Sequence, residues 1–199
     1  MVILGLTGSI GMGKSTTSQL FAEAGAAVYD ADAAVHALYA GKAVEPVGNA
    51  FPGTIKDGRV DREALGKVVL NDKTKMMLLE SLIHPLVHEV EAEFLEQAKN
   101  ERRKVAVLDV PLLFEVGKQH AVDAVVVVTA PYDVQRKRVL ERPGMTEAKF
   151  EAIYAKQLND AEKRKRAHFI IDTGRGIEPA RRAVEAIMRA VSSIASRTV

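Results

Sequence analysis

Residues 4–21 read LGLTGSIGMGKSTTSQLF. A hydrophobic run leads into a glycine-rich turn, which ends in Lys14 and Ser15 before a helical pattern begins. Gly8 to Ser15 fit G-x-x-x-x-G-K-[S/T], the Walker A pattern of phosphate-binding loops. Glycines let backbone N–H groups converge on phosphate oxygens, and the N-terminus of the following helix favours the same anion. The stretch therefore predicts a binding site for the phosphates of a nucleoside triphosphate.

The last residues of this loop supply the chemistry that glycines lack. Lys14 places a mobile positive charge at the β- and γ-phosphates, and the Ser15 hydroxyl is a ligand for Mg²⁺. A phosphate loop alone does not distinguish a switch GTPase, a motor-type ATPase and a kinase. A guanine-specific GTPase should carry N-K-x-D and D-x-x-G, whereas the sequence has no D-x-x-G and its NDKTK at 71–75 has the wrong order. These absences argue against a switch GTPase.

The composition excludes several other classes of protein. The 199 residues include no cysteine, which rules out disulfides, thiolate catalysis and cysteine-ligated zinc. Lys and Arg number 28 against 26 Asp and Glu, a balance that gives no support to a general nucleic-acid or membrane-surface role. No apolar run approaches the roughly 20 residues that a membrane helix needs. We expect a cytoplasmic, monomeric protein with neither nucleic-acid nor membrane partners.

Five short apolar runs predict strands, at residues 2–7, 26–30, 105–110, 124–129 and 168–172. They are almost continuously apolar rather than alternating, as in a parallel sheet that helices cover on both faces. Helical patterns lie between them, for example at 14–24 and 132–142. The sequence therefore predicts an α/β fold of the P-loop NTPase type, with a doubly wound, parallel, five-stranded sheet.

Two longer intervals interrupt this alternation. Residues 31–104 are mostly helical in pattern and predict a helical insertion, and residues 136–166 are strongly charged and predict a second helical excursion. The remaining segments, 1–30, 105–135 and 167–199, are predicted to form the nucleotide-binding core.

Within the insertion, glycines and prolines predict a loop at 41–61. Two helices are predicted after it, at 71–83 and 85–100, because Pro85 suits the first position of a helix. His84 would then cap the second helix or contact a substrate. His84 and His88 form H-x-x-x-H, but Pro85 stands where the zinc motif requires Glu, which argues against a metal site.

Carboxylates follow two of the predicted strands. In open α/β sheets, ligands bind outside the carboxyl ends of the strands. Asp109 follows the third predicted strand and is a Walker-B-like candidate to hold Mg²⁺. Asp32 follows the second, in YDAD, where it can accept or orient the proton of an attacking hydroxyl. Asp30 of the same motif fits a functional carboxylate or a helix N-cap equally well.

The motifs together resemble the dephospho-CoA kinase family over nearly the whole chain, from the first strand to HFIIDTG at 168–174. Five stretches carry the resemblance: LTGSIGMGKST at 6–16, YDAD at 29–32, IHPLV at 83–87, LDVPLLFE at 108–115 and QRKRVLER at 135–142. The resemblance implies transfer of phosphate from ATP to the 3′-hydroxyl of the dephospho-CoA ribose, the last step of coenzyme A biosynthesis. It also implies that 31–104 is the acceptor domain and 136–166 the lid.

The resemblance further implies a set of site residues. Catalysis falls to Asp32, Lys14 and Arg142, and the Mg²⁺ ligands are Ser15 and Asp109. The nucleotide contacts are Gly11, Met12, Gly13, Lys14, Ser15, Thr16, Thr173 and Gly174. The acceptor contacts are Asp32, His84, Pro85, Leu112, Phe114 and Glu115. One departure lies at the end of the last predicted strand, where Thr173 stands in place of the Asn that is common in the family.

Basic side chains complete the predicted site. A kinase needs cations over the transferring phosphoryl group, and Arg138 and Arg142 would share one face of the predicted helix at 132–142. KRKR at 163–166 fits a face between lid and core better than a nuclear-localisation or RNA-binding patch. Two alternatives remain open: a kinase for another nucleoside, nucleotide or small alcohol, and a nucleotide-binding module without phosphoryl transfer.

Overall fold

The central feature of the fold is a five-stranded sheet. The structure is a computed structural model that describes residues 1–195. Its first two strands are β1 (Val2–Thr7) and β2 (Ala27–Asp30). After the short strands β3 (Ile55–Lys56) and β4 (Arg59–Val60), the sheet continues with β5 (Val105–Asp109), β6 (Ala124–Thr129) and β7 (Phe169–Asp172). The strand order is β2-β5-β1-β6-β7, which confirms the predicted doubly wound parallel sheet.

The register of the sheet places the end of β1 beside the ends of its two neighbouring strands. β1 lies between β5 and β6 and runs parallel to both, with Leu6 opposite Asp109 and Val126. All five residues of β5 are buried. A strand that is covered on both faces has no reason to alternate polar and apolar residues, and this explains the continuous apolar runs in the sequence. The phosphate loop therefore leaves from the middle of the sheet, beside the carboxyl end of β5.

Helices α1 (Lys14–Glu23) and α2 (Ala31–Leu38) follow the first two strands, and α3 (Val44–Ala50), α4 (Arg62–Val69) and α5 (Lys73–Asn100) come next. The last part of the chain forms α6 (Tyr132–Leu140), α7 (Glu147–Tyr154), α8 (Asp160–Lys165) and α9 (Ile177–Ala195), with a 3₁₀ turn at Lys118–Ala121. Within the described part of the chain, no helix is long and apolar enough to cross a membrane.

The chain divides into two compact units. The first unit contains residues 1–29 and the chain from 98 onward, and the second contains residues 30–97. Side chains of the sheet, α1 and α9 form the core of the first unit, among them Leu6, Phe21, Val126, Ile171 and Val184. A separate apolar core stabilises the second unit, with Leu38, Val47, Phe51, Leu65 and Leu79 among its buried members. The roles predicted for these segments, as nucleotide-binding core, acceptor domain and lid, stay predictions.

The loop predicted at 41–61 is wrong in detail. Residues 44–50 form α3, and β3 and β4 pair as an antiparallel hairpin. Val47 and Phe51 are buried in the core of the second unit, so that burial of apolar surface outweighs the glycine and proline signals around them. The hairpin turns at Asp57 and Gly58, which both have positive φ, and Asp-Gly is a strong signal for such a turn.

The two helices predicted at 71–83 and 85–100 are a single helix, α5, with Pro85 inside it. The predicted start is confirmed, since Asp72 Oδ1 accepts a hydrogen bond from the Lys75 N–H. Leu79 and Ile83 are buried and Leu86 and Val90 pack against the same core, so one apolar stripe runs past the proline. Pro85 and His84 lie on the exposed face. His84 is therefore not a helix cap.

Candidate active site

The phosphate loop takes a shape that two of its glycines make possible. Gly11 and Gly13 have φ of 78° and 88°, in the left-handed region that favours glycine. A Cβ at Gly11 would lie 2.8 Å from the backbone oxygen of Gln135, and one at Gly13 would lie 2.9 Å from Thr173 Oγ1. Gly13 also precedes α1 without a side-chain cap, which leaves the first amides of that helix for an anion.

Lys14 and Asp109 form an ion pair between the start of α1 and the end of β5. Lys14 opens α1, and Asp109 is the last residue of β5, with 3% of its side chain exposed. A carboxylate this deeply buried needs a positive or hydrogen-bonding partner, because burial without one is costly. The pair brings together the lysine predicted to bind phosphate and the carboxylate predicted to hold metal.

Thr173 and Arg138 form a second set of contacts that support the phosphate loop. The Thr173 hydroxyl donates to Met12 O at 2.7 Å, and Arg138 donates to both the hydroxyl and the carbonyl of Thr173 at 2.9 Å. Thr173 is buried, and Met12 Sδ accepts from the Ala130 N–H at 3.1 Å. Gly174 is also confined, since its added Cβ would lie 2.4 Å from Pro131. Thr173 and Gly174 therefore lie directly against the phosphate loop and the start of α6.

Two glutamines hold the backbone of Ile10 in the same loop. Gln135 Nε2 donates to Ile10 O at 2.7 Å, and the Ile10 N–H donates to Gln157 Oε1 at 3.0 Å. Gln135 lies in the first turn of α6 and is 1% exposed. Gln157 lies between α7 and α8, in the predicted lid. Sequence reasoning assigned no role to either residue: Gln135 begins the motif QRKRVLER, which does not reveal its contact with Ile10, and Gln157 lies in none of the motifs.

Glu115 is tied to the same region. Its Oε1 atom accepts from the Leu158 N–H at 2.9 Å and lies 3.0 Å from Lys163 Nζ, whose side chain is fully buried. Burial alone would raise the pKa of the Glu115 carboxyl, but the hydrogen bonds from Leu158 and Lys163 outweigh burial and hold that pKa below its ordinary value. Glu115 therefore fastens the 158–163 segment to the loop that follows β5.

A family model described as CoaE, dephospho-CoA kinase, matches residues 2–178. The chain belongs to the dephospho-CoA kinase family. That family catalyses the last step of coenzyme A biosynthesis, and membership makes the chain a nucleotide-using kinase, and hence a transferase.

Individual relatives match over nearly the whole chain. Dephospho-CoA kinase of Mesorhizobium japonicum is 58% identical over 188 residues, which cover 94% of this chain and 95% of that protein. Dephospho-CoA kinase of Nitrobacter winogradskyi is 52% identical over 197 residues, 99% of each chain. The crystal structure of TT1252 from Thermus thermophilus superimposes with a TM-score of 0.84 at 32% identity and covers 95% of this chain and 97% of that one.

The remaining residues of the family motif LDVPLLFE differ in exposure. Phe114 is buried and lies under the Arg166 guanidinium, whose Cζ is 5.9 Å from the ring centre. Leu112 has 41% of its surface exposed. Within this part of the motif, Leu112 offers apolar surface to a ligand, whereas Phe114 and one oxygen of Glu115 are already engaged by neighbouring side chains.

The arginines after β6 are arranged differently from the prediction. Helix α6 ends at Leu140 with Glu141 as its C-cap, so Arg142 lies beyond the helix and shares no helical face with Arg138. The expected i, i+4 pair is therefore wrong. Arg142 is exposed, whereas Arg138 is held by Thr173.

The predicted site residues of the second unit lie on two helices. Asp32 is exposed in the first turn of α2. Asp30 Oδ1 accepts from the Ala33 N–H at 2.9 Å, so the structure favours the N-cap interpretation of Asp30. His84 and Pro85 are exposed on α5. That these residues meet the phosphate loop around an acceptor stays a prediction.

The chemistry of the donor set fits Mg²⁺ better than zinc. Among the described residues, no group of three or more His, Cys, Asp or Glu side chains could hold a metal ion. Mg²⁺ in kinase sites binds through one or two protein oxygens together with phosphates and waters, and so needs no such group. Ser15 and Asp109 both offer oxygen atoms of the required kind.

Proposed function

We propose that this protein transfers the γ-phosphoryl group of ATP to the 3′-hydroxyl of the ribose of dephospho-CoA, giving coenzyme A and ADP. One observation carries the proposal: a Walker A loop whose lysine pairs with the carboxylate at the end of β5, in a chain that matches the family model over residues 2–178. The loop accounts for the phosphate donor, and the family accounts for the acceptor.

The donor phosphates are assigned to the loop and the start of α1. Backbone N–H groups of residues 11–16 surround the β- and γ-phosphates, and Lys14 neutralises part of their charge. The exposure of Ser15 and Thr16 supports this role, since an anion can approach their N–H groups from solvent. Thr173 and Gly174, packed against the loop, are assigned to the adenosine side of the nucleotide.

Ser15 and Asp109 are assigned to Mg²⁺. When bound, the ion would neutralise charge on the β- and γ-phosphate oxygens. The hydroxyl and carboxylate oxygens of these two residues suit a hard cation. Asp109 is paired with Lys14. On binding, the phosphates would pair with Lys14 instead, and the metal ion with Asp109.

Asp32 is assigned to the acceptor. The 3′-oxygen attacks the γ-phosphorus, the bond from that phosphorus to the β–γ bridging oxygen breaks, and the hydroxyl proton passes to the Asp32 carboxylate. The exposure of Asp32 supports this role, because a substrate hydroxyl can reach an exposed carboxylate from solvent. Arg142 is assigned to the equatorial oxygens of the transferring group, where a positive charge stabilises the transition state.

The remaining predicted contacts are assigned to the body of the acceptor. Leu112, Phe114 and Glu115 follow β5, and His84 and Pro85 are exposed on α5. These side chains combine apolar surface with one ionisable ring and one carboxylate, which suits a substrate that has both a pantetheine arm and a nucleotide.

A coupled assay of ADP release tests the proposal. The acceptors compared are dephospho-CoA, adenosine, AMP and shikimate, each with ATP and Mg²⁺. Turnover with dephospho-CoA alone is expected, and ³¹P NMR of the product is expected to show phosphate on the 3′-oxygen. Turnover with another acceptor and none with dephospho-CoA would contradict the proposal, and ATP binding without transfer to any acceptor would favour a binding module.

A further inference from the structure

The phosphate loop is held by side chains that are absent from the Walker A pattern. Ile10 is the third residue of that pattern, and both of its backbone groups are engaged: its carbonyl accepts from Gln135, and its N–H donates to Gln157. We call Gln135 and Gln157 the glutamine clamp. The partners are 125 and 147 residues from Ile10 in sequence, so only the fold brings them together.

The clamp fixes the direction of a neighbouring amide. The Ile10 carbonyl and the Gly11 N–H belong to one planar trans peptide unit, in which the C=O and the N–H point in opposite directions. By holding the carbonyl at 2.7 Å, Gln135 therefore aims the Gly11 N–H away from α6. Gly11 has no Cβ and sits against the backbone of Gln135, so α6 and the loop are in direct contact. Gly11 begins the set of amides assigned to the phosphates.

The second glutamine belongs to a segment that is itself anchored. Leu158, the next residue after Gln157, donates its N–H to Glu115 at 2.9 Å. The fully buried Lys163 holds the same carboxylate at 3.0 Å. The loop after β5 thus fixes the backbone next to Gln157, and the Gln157 side chain in turn holds the Ile10 N–H.

The residues that follow Gln157 and Leu158 line a cavity. A cavity of about 400 Å³ lies beside the clamp and is lined by Met12, Gln135, Tyr154, Asn159 and Asp160 among other residues. Asn159 and Asp160 follow Gln157 and Leu158 directly in the chain. The space between Met12 and Gln135 on one side and Asn159 and Asp160 on the other is therefore not filled by packed side chains.

We propose that Gln135 and Gln157 are positioning residues of the phosphate loop, and that Gln157 couples the lid segment (residues 136–166) to the loop. With both hydrogen bonds in place, the loop amides are aligned for phosphate. Loss of the Gln157 bond frees the Ser9–Ile10 peptide, whose N–H it holds, and loss of the Gln135 bond frees the Ile10–Gly11 peptide. The kinetic part of this inference rests on the proposed function, whereas the structural part concerns the loop alone.

The experiment compares Gln157→Ala with Gln157→Glu and the matched control Gln19→Ala. Gln157 is the better member to change, because Gln135 is buried and its loss would disturb packing. Glu at 157 keeps an acceptor for the Ile10 N–H. Gln19 is exposed on α1, where its amide contacts only Glu23 at 3.2 Å among described residues.

Amide hydrogen exchange, followed by NMR on ¹⁵N-labelled protein without nucleotide, gives the direct readout. In Gln157→Ala the Ile10 amide is expected to exchange about 5- to 10-fold faster, as loss of one hydrogen bond permits, while amides of β5 and β6 keep their rates. Gln157→Glu and Gln19→Ala are expected to keep the protection of Ile10. Unchanged exchange at Ile10 in Gln157→Ala overturns the proposal, and so does faster exchange throughout the sheet, which would indicate general loosening.

Kinetics and nucleotide binding give the second readout. In Gln157→Ala the KM for ATP and the Kd for ADP are expected to rise about 5- to 10-fold, with the KM for dephospho-CoA changed less than about twofold. An equal rise in both KM values would overturn the role in the phosphate loop. ADP binding, measured by calorimetry, needs no acceptor, so it tests the clamp even if dephospho-CoA fails as a substrate.

Discussion

Lys14 Nζ lies against Asp109 Oδ1, so the lysine of the phosphate loop and the carboxylate that ends β5 share one ion pair. The register of β1 and β5 brings them together, because Leu6 lies opposite Asp109 just before the loop leaves the sheet. A phosphate at the loop and the carboxylate at Asp109 therefore compete for the same ammonium group. Whatever neutralises Asp109 when a nucleotide binds makes Lys14 available to the phosphates.

Lys14→Ala is expected to lower kcat by about 10²-fold or more, because it removes a charge that stabilises the transferring phosphoryl group. The coupled ADP-release assay measures the loss. Lys104→Ala is a suitable control. Lys104 is exposed and directly precedes the first residue of β5, whereas Asp109 is the last residue of that strand. A rate for Lys14→Ala near that of the control would remove Lys14 from catalysis.

Gly11→Ala is expected to abolish nucleotide binding, because the new Cβ would lie 2.8 Å from the Gln135 carbonyl at a φ of +78°. Calorimetry with ADP measures the loss. Gly25→Ala separates the two causes, since Gly25 has a φ of +92° but nothing within 4 Å of an added Cβ. The control should lose about 1–2 kcal/mol of stability and keep its affinity for ADP. Equal affinities in the two variants would show that the contact with Gln135 is unimportant.

The sheet and the phosphate loop could be predicted from sequence because each produces a recognisable pattern in consecutive residues. Strands buried on both faces are nearly continuous apolar runs, and the Walker A spacing follows from the shape of a phosphate. The single helix α5 could not be predicted across Pro85 by local rules. A proline on the exposed face removes one hydrogen bond, while the stripe that contains Leu79 and Ile83 keeps packing on the core.

The contacts of the residues that support the loop could not be predicted in this way. Gln135 begins QRKRVLER and Lys163 begins KRKR, but neither motif reveals what these side chains contact, and Gln157 lies in no motif. Their roles arise from contacts more than 40 residues away in the chain. Arg138 shows the same limit, because its contact with Thr173 depends on where α6 meets β7. The Asp57-Gly58 hairpin is different: its turn signal was present in the sequence, and only the surrounding glycines and prolines obscured it.

Asp32→Asn is expected to lower kcat by about 10²-fold, because an amide cannot accept the hydroxyl proton. Asp30→Asn is a close control two residues away. Asp30 caps α2 through Ala33, and Asn is an equally good cap, so stability and rate should both stay near normal. Near-normal turnover in Asp32→Asn would assign the proton to another group.

Glu115→Gln is expected to lower the melting temperature by about 4–8 °C at pH 7, because the fully buried Lys163 loses its charged partner. The folded-state pKa of Glu115 lies below its ordinary value, so its charge stabilises the fold above the unfolded-state pKa. That contribution is lost as the pH falls through the folded-state pKa. The difference between wild type and variant, measured by calorimetry from pH 7 down to pH 3, should therefore shrink on the acid side.

A second Lys–Glu pair gives the control for Glu115. Lys42 and Glu89 lie 3.1 Å apart with about half of each side chain exposed, at 52% and 50%. Exposed pairs contribute little, so Glu89→Gln should change the melting temperature by less than about 2 °C. A difference between wild type and Glu115→Gln that stays constant down to pH 3 would show that the Glu115 charge does not stabilise the fold.

Arg142→Ala is expected to lower kcat by about 10²-fold and to leave the melting temperature within about 2 °C of wild type. The two expectations have different causes: a cation over the phosphoryl group acts mainly in the transition state, while an exposed residue beyond the end of α6 contributes little to folding. Arg189→Ala, at an exposed position of α9, is the matched control and should change neither quantity. If Arg142→Ala raises the KM for ATP and leaves kcat unchanged, the guanidinium binds the ground state and does not act on the transferring group.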